Sequence, residues 1–180
     1  MKNLSLLCFC FLFLSAQAKT IEGISFEDKV SINGKSLVLN GIGRRLATFL
    51  NIKVYLGALY LEKTSSDAQK VMNSNELKYI QMHFQRDLSK DKFENGIKEG
   101  FEKNKTDYSK YENDLKSLFS NIPELKKHDI ISLLFSANGL TISHGSKKLD
   151  VNNPAFAKEI LKIFLGNPPN KELKTGMLGQ

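Results

Sequence analysis

Cysteine is almost missing from this chain. Its 180 residues include two copies, Cys8 and Cys10, both within the first ten positions. If that segment is lost on export, no disulfide, thiolate nucleophile or cysteine metal site remains. Tryptophan is absent and proline occurs four times. Arginine is also scarce: Lys and Arg together number 26, yet the arginines are Arg44, Arg45 and Arg86 alone. The net charge of +7 is therefore carried by lysines, interspersed with 19 acidic residues. Nucleic-acid surfaces gather arginine-rich clusters with stacking aromatics, so these lysines read as solvated faces and no nucleic-acid partner is expected. Histidine is sparse as well. His83, His128 and His144 are far apart, with no H-x-x-x-H spacing, so neither a metal nor another cofactor is expected. No G-x-S-x-G elbow is present. Gly41-x-Gly43 lacks a third glycine and a following helix, which argues against a dinucleotide site.

Long apolar runs are missing too, apart from Leu4–Leu14, which has 11 residues. Spanning a bilayer takes roughly 20, so no stable membrane span is expected. Lys2 before this run and Ala16-Gln17-Ala18 after it make a three-part secretory signal. Residues 1–18 are read as a cleaved signal peptide and residues 19–180 as one domain, periplasmic or secreted.

The rest of the chain has the punctuation of a folded α+β domain. Lys19–Ile32 alternates weakly and reads as a strand or strand pair, and Asn33-Gly34 is a hairpin turn signal. Leu77–Gln85 is a strand with Ile80, Met82 and Phe84 on one face. Ser89 opens a helix to about Lys103 whose apolar stripe is Phe93, Ile97 and Phe101. Gly96 and Gly100, also four apart, predict close packing by a neighbour. Asp107–Asn121 reads as a second helix, stopped by Pro123. Asp129–Ser136 and Leu140–His144 form a hairpin about Asn138-Gly139. Asn153 and Pro154 open a last main helix, closed by Gly166 and Pro168-Pro169. A short helix over Ser65/Ser66–Asn73 and a final turn in Asn170–Gln180 complete the reading. Helices grouped between and after antiparallel strands predict one sheet with helices on one face.

Leu37–Glu62 is the stretch around which the rest is arranged. Strand parity puts Leu37, Leu39, Gly41, Gly43 and Arg45 on one face of the first run, and Arg44 on the other. In Ile52–Leu61 it puts Lys53, Tyr55, Gly57, Leu59 and Leu61 opposite Ile52, Val54, Leu56, Ala58 and Tyr60. Such a strand is apolar on both faces, so it predicts something packed on each side. A guanidinium beside apolar strands can pair with a carboxylate or a polarised carbonyl, or simply with an acidic side chain.

Three segments resemble the chalcone isomerase-like superfamily, and more closely its bacterial exported branch. They are LNGIGRRLATFLNIKVYLGALYLE, Arg86-Asp87-Leu88 with the helix carrying Phe93 and Gly100-Phe101, and FAKEILKIFLGNPP with Met177-Leu178-Gly179. The resemblance implies an open-faced β-sandwich, a large antiparallel sheet covered by a layer of helices, with a ligand cleft between them. It implies that Arg45 matches the arginine that anchors the substrate carbonyl in the plant isomerases. Tyr55 stands where those enzymes have a threonine. Phe93 replaces the catalytic tyrosine, and Gly100 replaces a pocket asparagine. Non-enzymatic members hold a fatty-acid carboxylate with the arginine and a tyrosine, and a retained arginine without the catalytic tyrosine fits that use better. The expectation is a small amphipathic or carboxylate ligand held by Arg45 and Tyr55, with Ile80, Met82, Phe93, Ile97 and Phe101 as the apolar wall. The alternatives are an intramolecular lyase or isomerase, with Tyr55 or Tyr79 supplying the hydroxyl, and a partner-binding domain whose cleft is filled by its own side chains.

Overall fold

A computed structural model describes residues 18–47 and 50–180. The expected export signal falls almost entirely on residues 1–17, outside the described residues.

Seven antiparallel strands form the main sheet in the order β3-β4-β5-β6-β7-β8-β9. They are β3 (Lys29–Ile32), β4 (Lys35–Ala47), β5 (Ile52–Leu61), β6 (Lys78–Phe84), β7 (Ile130–Ser136), β8 (Gly139–His144) and β9 (Lys147–Val151). The order follows the chain, because each connection either is a hairpin or returns a helix to the next position. Asn33 and Gly34, both at positive φ, make the β3–β4 turn as expected. Residues 19–32 hold more than a strand pair. A separate hairpin, β1 (Ala18–Ile21) and β2 (Ile24–Glu27), turns at Glu22-Gly23 before β3 begins. Strand β9 was not foreseen: its charged sequence KKLDV carries one buried residue, Val151.

The helices are α1 (Ala68–Asn73), α2 (Lys90–Lys103), α3 (Glu112–Asn121), α4 (Pro154–Leu165) and α5 (Lys171–Met177). Asp67, rather than a serine, caps α1 by accepting from the backbone N–H groups of Gln69 and Lys70. Asn153 caps α4, with Pro154 in its first turn. The expected helix from Asp107 begins as a 3-10 turn over Tyr108–Tyr111 and becomes α-helical at Glu112.

Two clusters of buried side chains flank the sheet. The larger lies between the sheet and the helices, where α4 contributes Phe156, Ile160 and Phe164. The smaller holds Leu37, Ile42, Leu56, Ala58 and Tyr60 under Phe26 of the β1–β2 hairpin. Strand β5 is apolar on both faces for this reason: helices cover one side and the hairpin covers the other.

Two register shifts alter the simple parity of β4 and β5. One falls between Leu39 and Gly41, the other between Arg45 and Leu46, where Val54 is the extra residue on β5. A bulge of this kind inserts one residue and re-aims its neighbours. The first shift separates Leu37 and Leu39, which pack on the hairpin side, from Gly41 and Gly43, which face α5. The second separates Lys53, paired with Glu22 at 3.0 Å, from Tyr55, which faces the helices. Parity alone had grouped these residues together.

Candidate functional site

A cavity of about 420 Å³ lies between the sheet and the helices. Strands β6, β7 and β8 supply Met82, Phe84, Ile131, Leu133, Leu140 and Ile142 as one wall. Phe93, Gly96 and Ile97 of α2 face Leu118 of α3 and Ile160 and Ile163 of α4 across the rest. The polar lining consists of Arg45, Tyr55, Lys92, Asn95 and Glu99. A volume of several hundred Å³, apolar walls and a few convergent polar groups are the usual form of a small-molecule site.

Arg45 and Tyr55 are Cα partners in the β4–β5 ladder, which brings their side chains to the same place on the helix-facing side. The Arg45 side chain is 15% exposed. Its Nη1 donates to the carbonyl of Leu46, and its Nη2 lies 3.4 Å from Glu99 Oε2. A guanidinium has five N–H donors, so these two contacts leave others for a further acceptor. Asn170 holds the backbone on both sides of Arg45. Its Nδ2 donates to the Arg44 carbonyl at 2.8 Å, and its Oδ1 accepts from Leu46 N–H at 3.3 Å. Arg44 points to the opposite face and pairs with Glu22 at 2.8 Å. Arg44 and Arg45 therefore lie on opposite faces, as strand parity predicts for neighbours.

Burial pushes the Tyr55 hydroxyl pKa well above its ordinary range, against a smaller opposing pull from the Arg45 charge. Tyr55 is thus a neutral donor at any ordinary pH. Among the described residues its hydroxyl has no hydrogen-bond partner.

Five of the seven sequence-predicted residues meet at this cavity: Arg45, Tyr55, Met82, Phe93 and Ile97. Ile80 does not line it. Ile80 shares a face with Met82 but is fully buried in the core two residues back along β6. Phe101 is also packed away, its ring centroid 6.1 Å from Tyr111 and 6.4 Å from Phe156. Tyr79, considered as a source of a catalytic hydroxyl, is on the other side of the sheet, where its hydroxyl and that of Ser132 are 2.9 Å apart. Of the expected close glycine contacts, Gly100 makes one: a Cβ there would lie 2.6 Å from Ile163 Cγ2. Gly96 faces open space.

Sequence reading missed Lys92, Asn95, Glu99 and Asn170. The helical spacing of Lys92, Gly96, Glu99 and Lys103 marks one stripe of α2 and could have found Glu99. No local pattern marks Asn170, whose role depends on how the tail returns to β4.

Among the described residues, no helix is long and apolar enough to cross a membrane. Similarity to other proteins agrees with this architecture. A search of the curated proteins by sequence finds no match. Among solved structures, the fold is similar to the crystal structure of the Arabidopsis thaliana fatty-acid binding protein AtFAP1, with a TM-score of 0.71 and 17% identity, covering 90% of this chain and 96% of that one. The profile of the chalcone isomerase-like family matches residues 18–179. The chain belongs to the chalcone isomerase-like family.

Proposed function

We propose that this protein is a non-catalytic binder of a single-chain amphiphile, with a fatty acid as the first candidate. The observation that carries this reading is an apolar cavity of about 420 Å³ with Arg45 and Tyr55 among its few polar lining groups. Charge-assisted hydrogen bonds from a guanidinium suit a carboxylate head, and Tyr55 adds a neutral donor. The similar fold of a fatty-acid binding protein supports the reading.

Two features favour binding over ring-closing catalysis. Phe93 lines the cavity at the position where the resemblance implies a tyrosine, and of the two hydroxyls that could replace it Tyr79 is turned to the far face, leaving Tyr55 beside Arg45. The open volume beside Arg45 also disfavours a cleft filled by its own side chains. The N-terminal pattern supports export to the periplasm or outside the cell, where the ligand would be met. N-terminal sequencing of the exported protein should then begin at Lys19.

The direct experiment is to purify the protein, extract its lipids and titrate it with dodecanoate. Co-purifying fatty acid, and a loss of dodecanoate affinity in Arg45→Ala, are expected. No extractable lipid together with unchanged affinity in Arg45→Ala would sink the reading.

A further inference from the structure

The Arg45 guanidinium already has a carboxylate beside it. Glu99 Oε2 is 3.4 Å from Arg45 Nη2, and Glu99 Oε1 is 3.9 Å from Lys103 Nζ one helical turn further on. Glu99 thus stands between a cation that lines the cavity and one that faces solvent. Arg45 is the sheltered member of the three: its side chain is 15% exposed, against 41% for Lys103 and 45% for Glu99.

We infer that Glu99 sets the charge selectivity of the cavity, by competing with an anionic head group for Arg45 and yielding it by turning to Lys103. This rests on the amphiphile-binding reading and deepens it. A carboxylate arriving at Arg45 brings a second negative charge next to Glu99. It must either displace Glu99 or bear the like-charge repulsion. An uncharged head, such as an alcohol, meets neither cost and can use the Arg45 donors that Glu99 leaves free. Lys103 lowers the cost of displacement, because Glu99 gives up Arg45 while keeping and tightening its pair with Lys103, an exchange made by side-chain rotation at an exposed position. An i, i+4 pair with glutamate on the N-terminal side is the favourable orientation for that exchange. Glu99 belongs to the polar lining beside Arg45, so its effect falls mainly on the head group.

The test uses two ligands of one chain length, dodecanoate and dodecan-1-ol, titrated into the protein and its Glu99→Gln, Lys103→Gln and double variants. Glu99→Gln should tighten dodecanoate about two- to fivefold, the range of a partly exposed ion pair, and shift dodecan-1-ol by clearly less. Lys103→Gln should weaken dodecanoate, and should do so less when Glu99→Gln is also present. Unchanged dodecanoate affinity in Glu99→Gln, or an equal shift for both ligands, overturns the inference while leaving amphiphile binding intact. If neither ligand binds the unmodified protein, the amphiphile reading itself fails and takes this one with it.

Discussion

Arg45 and Tyr55 stand opposite each other in the β4–β5 ladder, one charged and one neutral donor at the same place on the cavity wall. Partners in an antiparallel ladder have Cβ atoms about 4.5–5.5 Å apart, close enough to share the two oxygens of one carboxylate. The pairing survives because the second bulge inserts Val54 after it: Tyr55 keeps Arg45 as its partner while Lys53 is sent to the other face.

The two residues should therefore contribute unequally to fatty-acid affinity. Tyr55→Phe removes a single hydrogen bond to the carboxylate and should cost about 1.5 kcal/mol, the low end for a bond to a charged group. Arg45→Ala removes charge-assisted bonds and should cost about 1.5–3 kcal/mol. Calorimetric titration with dodecanoate measures both, and a larger loss in Tyr55→Phe would mean that the arginine is not the anchor. Because burial raises the Tyr55 pKa, tyrosine ionisation should add no step to the affinity between neutral pH and about pH 10, the ordinary tyrosine value.

This site was partly legible in the sequence because its parts are local. Arg45 is a rare residue next to glycines, Tyr55 lies in a strand with two apolar faces, and Phe93 and Ile97 lie four apart on a helix. Ile80 was misassigned because a period of two selects a face and says nothing about depth along the strand. Phe101 was misassigned in the same way, since helical spacing does not reveal where α2 leaves the cavity and meets Tyr111 and Phe156. The glycines of β4 mark where a bulge can sit, but the positions of the two bulges were not legible, because an extra residue on one strand is defined against its partner. For the same reason, the role of Asn170 appears only once α5 has returned to β4.

The two glycines of Gly41-x-Gly43 seat a helix and do not cradle a ligand. A Cβ on Gly43 would run into the backbone carbonyl of Leu173, and one on Gly41 would meet that of Gly176. Backbone cannot rotate aside as a side chain can, so Gly43→Ala should lift α5 from β4. The expected loss is at the upper end of the roughly 1–3 kcal/mol of overpacking, read by thermal denaturation. Hydrogen exchange should quicken in α5, where Leu173 and Met177 are fully buried.

Helix α2 offers a controlled pair. Gly96→Ala places its methyl in open space and removes the conformational cost of a helical glycine, so it should stabilise the protein by about 0.5–1 kcal/mol. Gly100→Ala gains the same helical term, but its methyl presses against Ile163, which is 5% exposed. Overpacking of about 1–3 kcal/mol should outweigh the gain. Opposite shifts in melting temperature are expected. Matching shifts would mean that α2 and α4 are not in the contact described.

Glu22 should give the protein an acid-sensitive fastening on its hairpin side. It sits in the β1–β2 turn, accepts from Gln85 Nε2 at 2.7 Å and Arg44 Nε at 2.8 Å, and pairs with Lys53 at 3.0 Å. One carboxylate thus ties the hairpin to β4, β5 and the end of β6. These contacts, the Gln85 bond first and then Arg44 and Lys53, lower its pKa from 4.5 to about 2. A depressed folded-state pKa stabilises the protein fully above the unfolded value of 4.5. The contribution is then lost progressively as pH falls from there towards 2. Solvent screens a group at the surface, so the contribution is on the order of 1 kcal/mol rather than the full linkage value. Other carboxylates also titrate in acid, which makes the difference between the protein and Glu22→Gln the useful quantity. Glu22→Gln should melt at a lower temperature near pH 6, and the gap should shrink as pH falls below 4.5. A gap that stays constant down to pH 2 would show that the Glu22 charge is not what secures the hairpin.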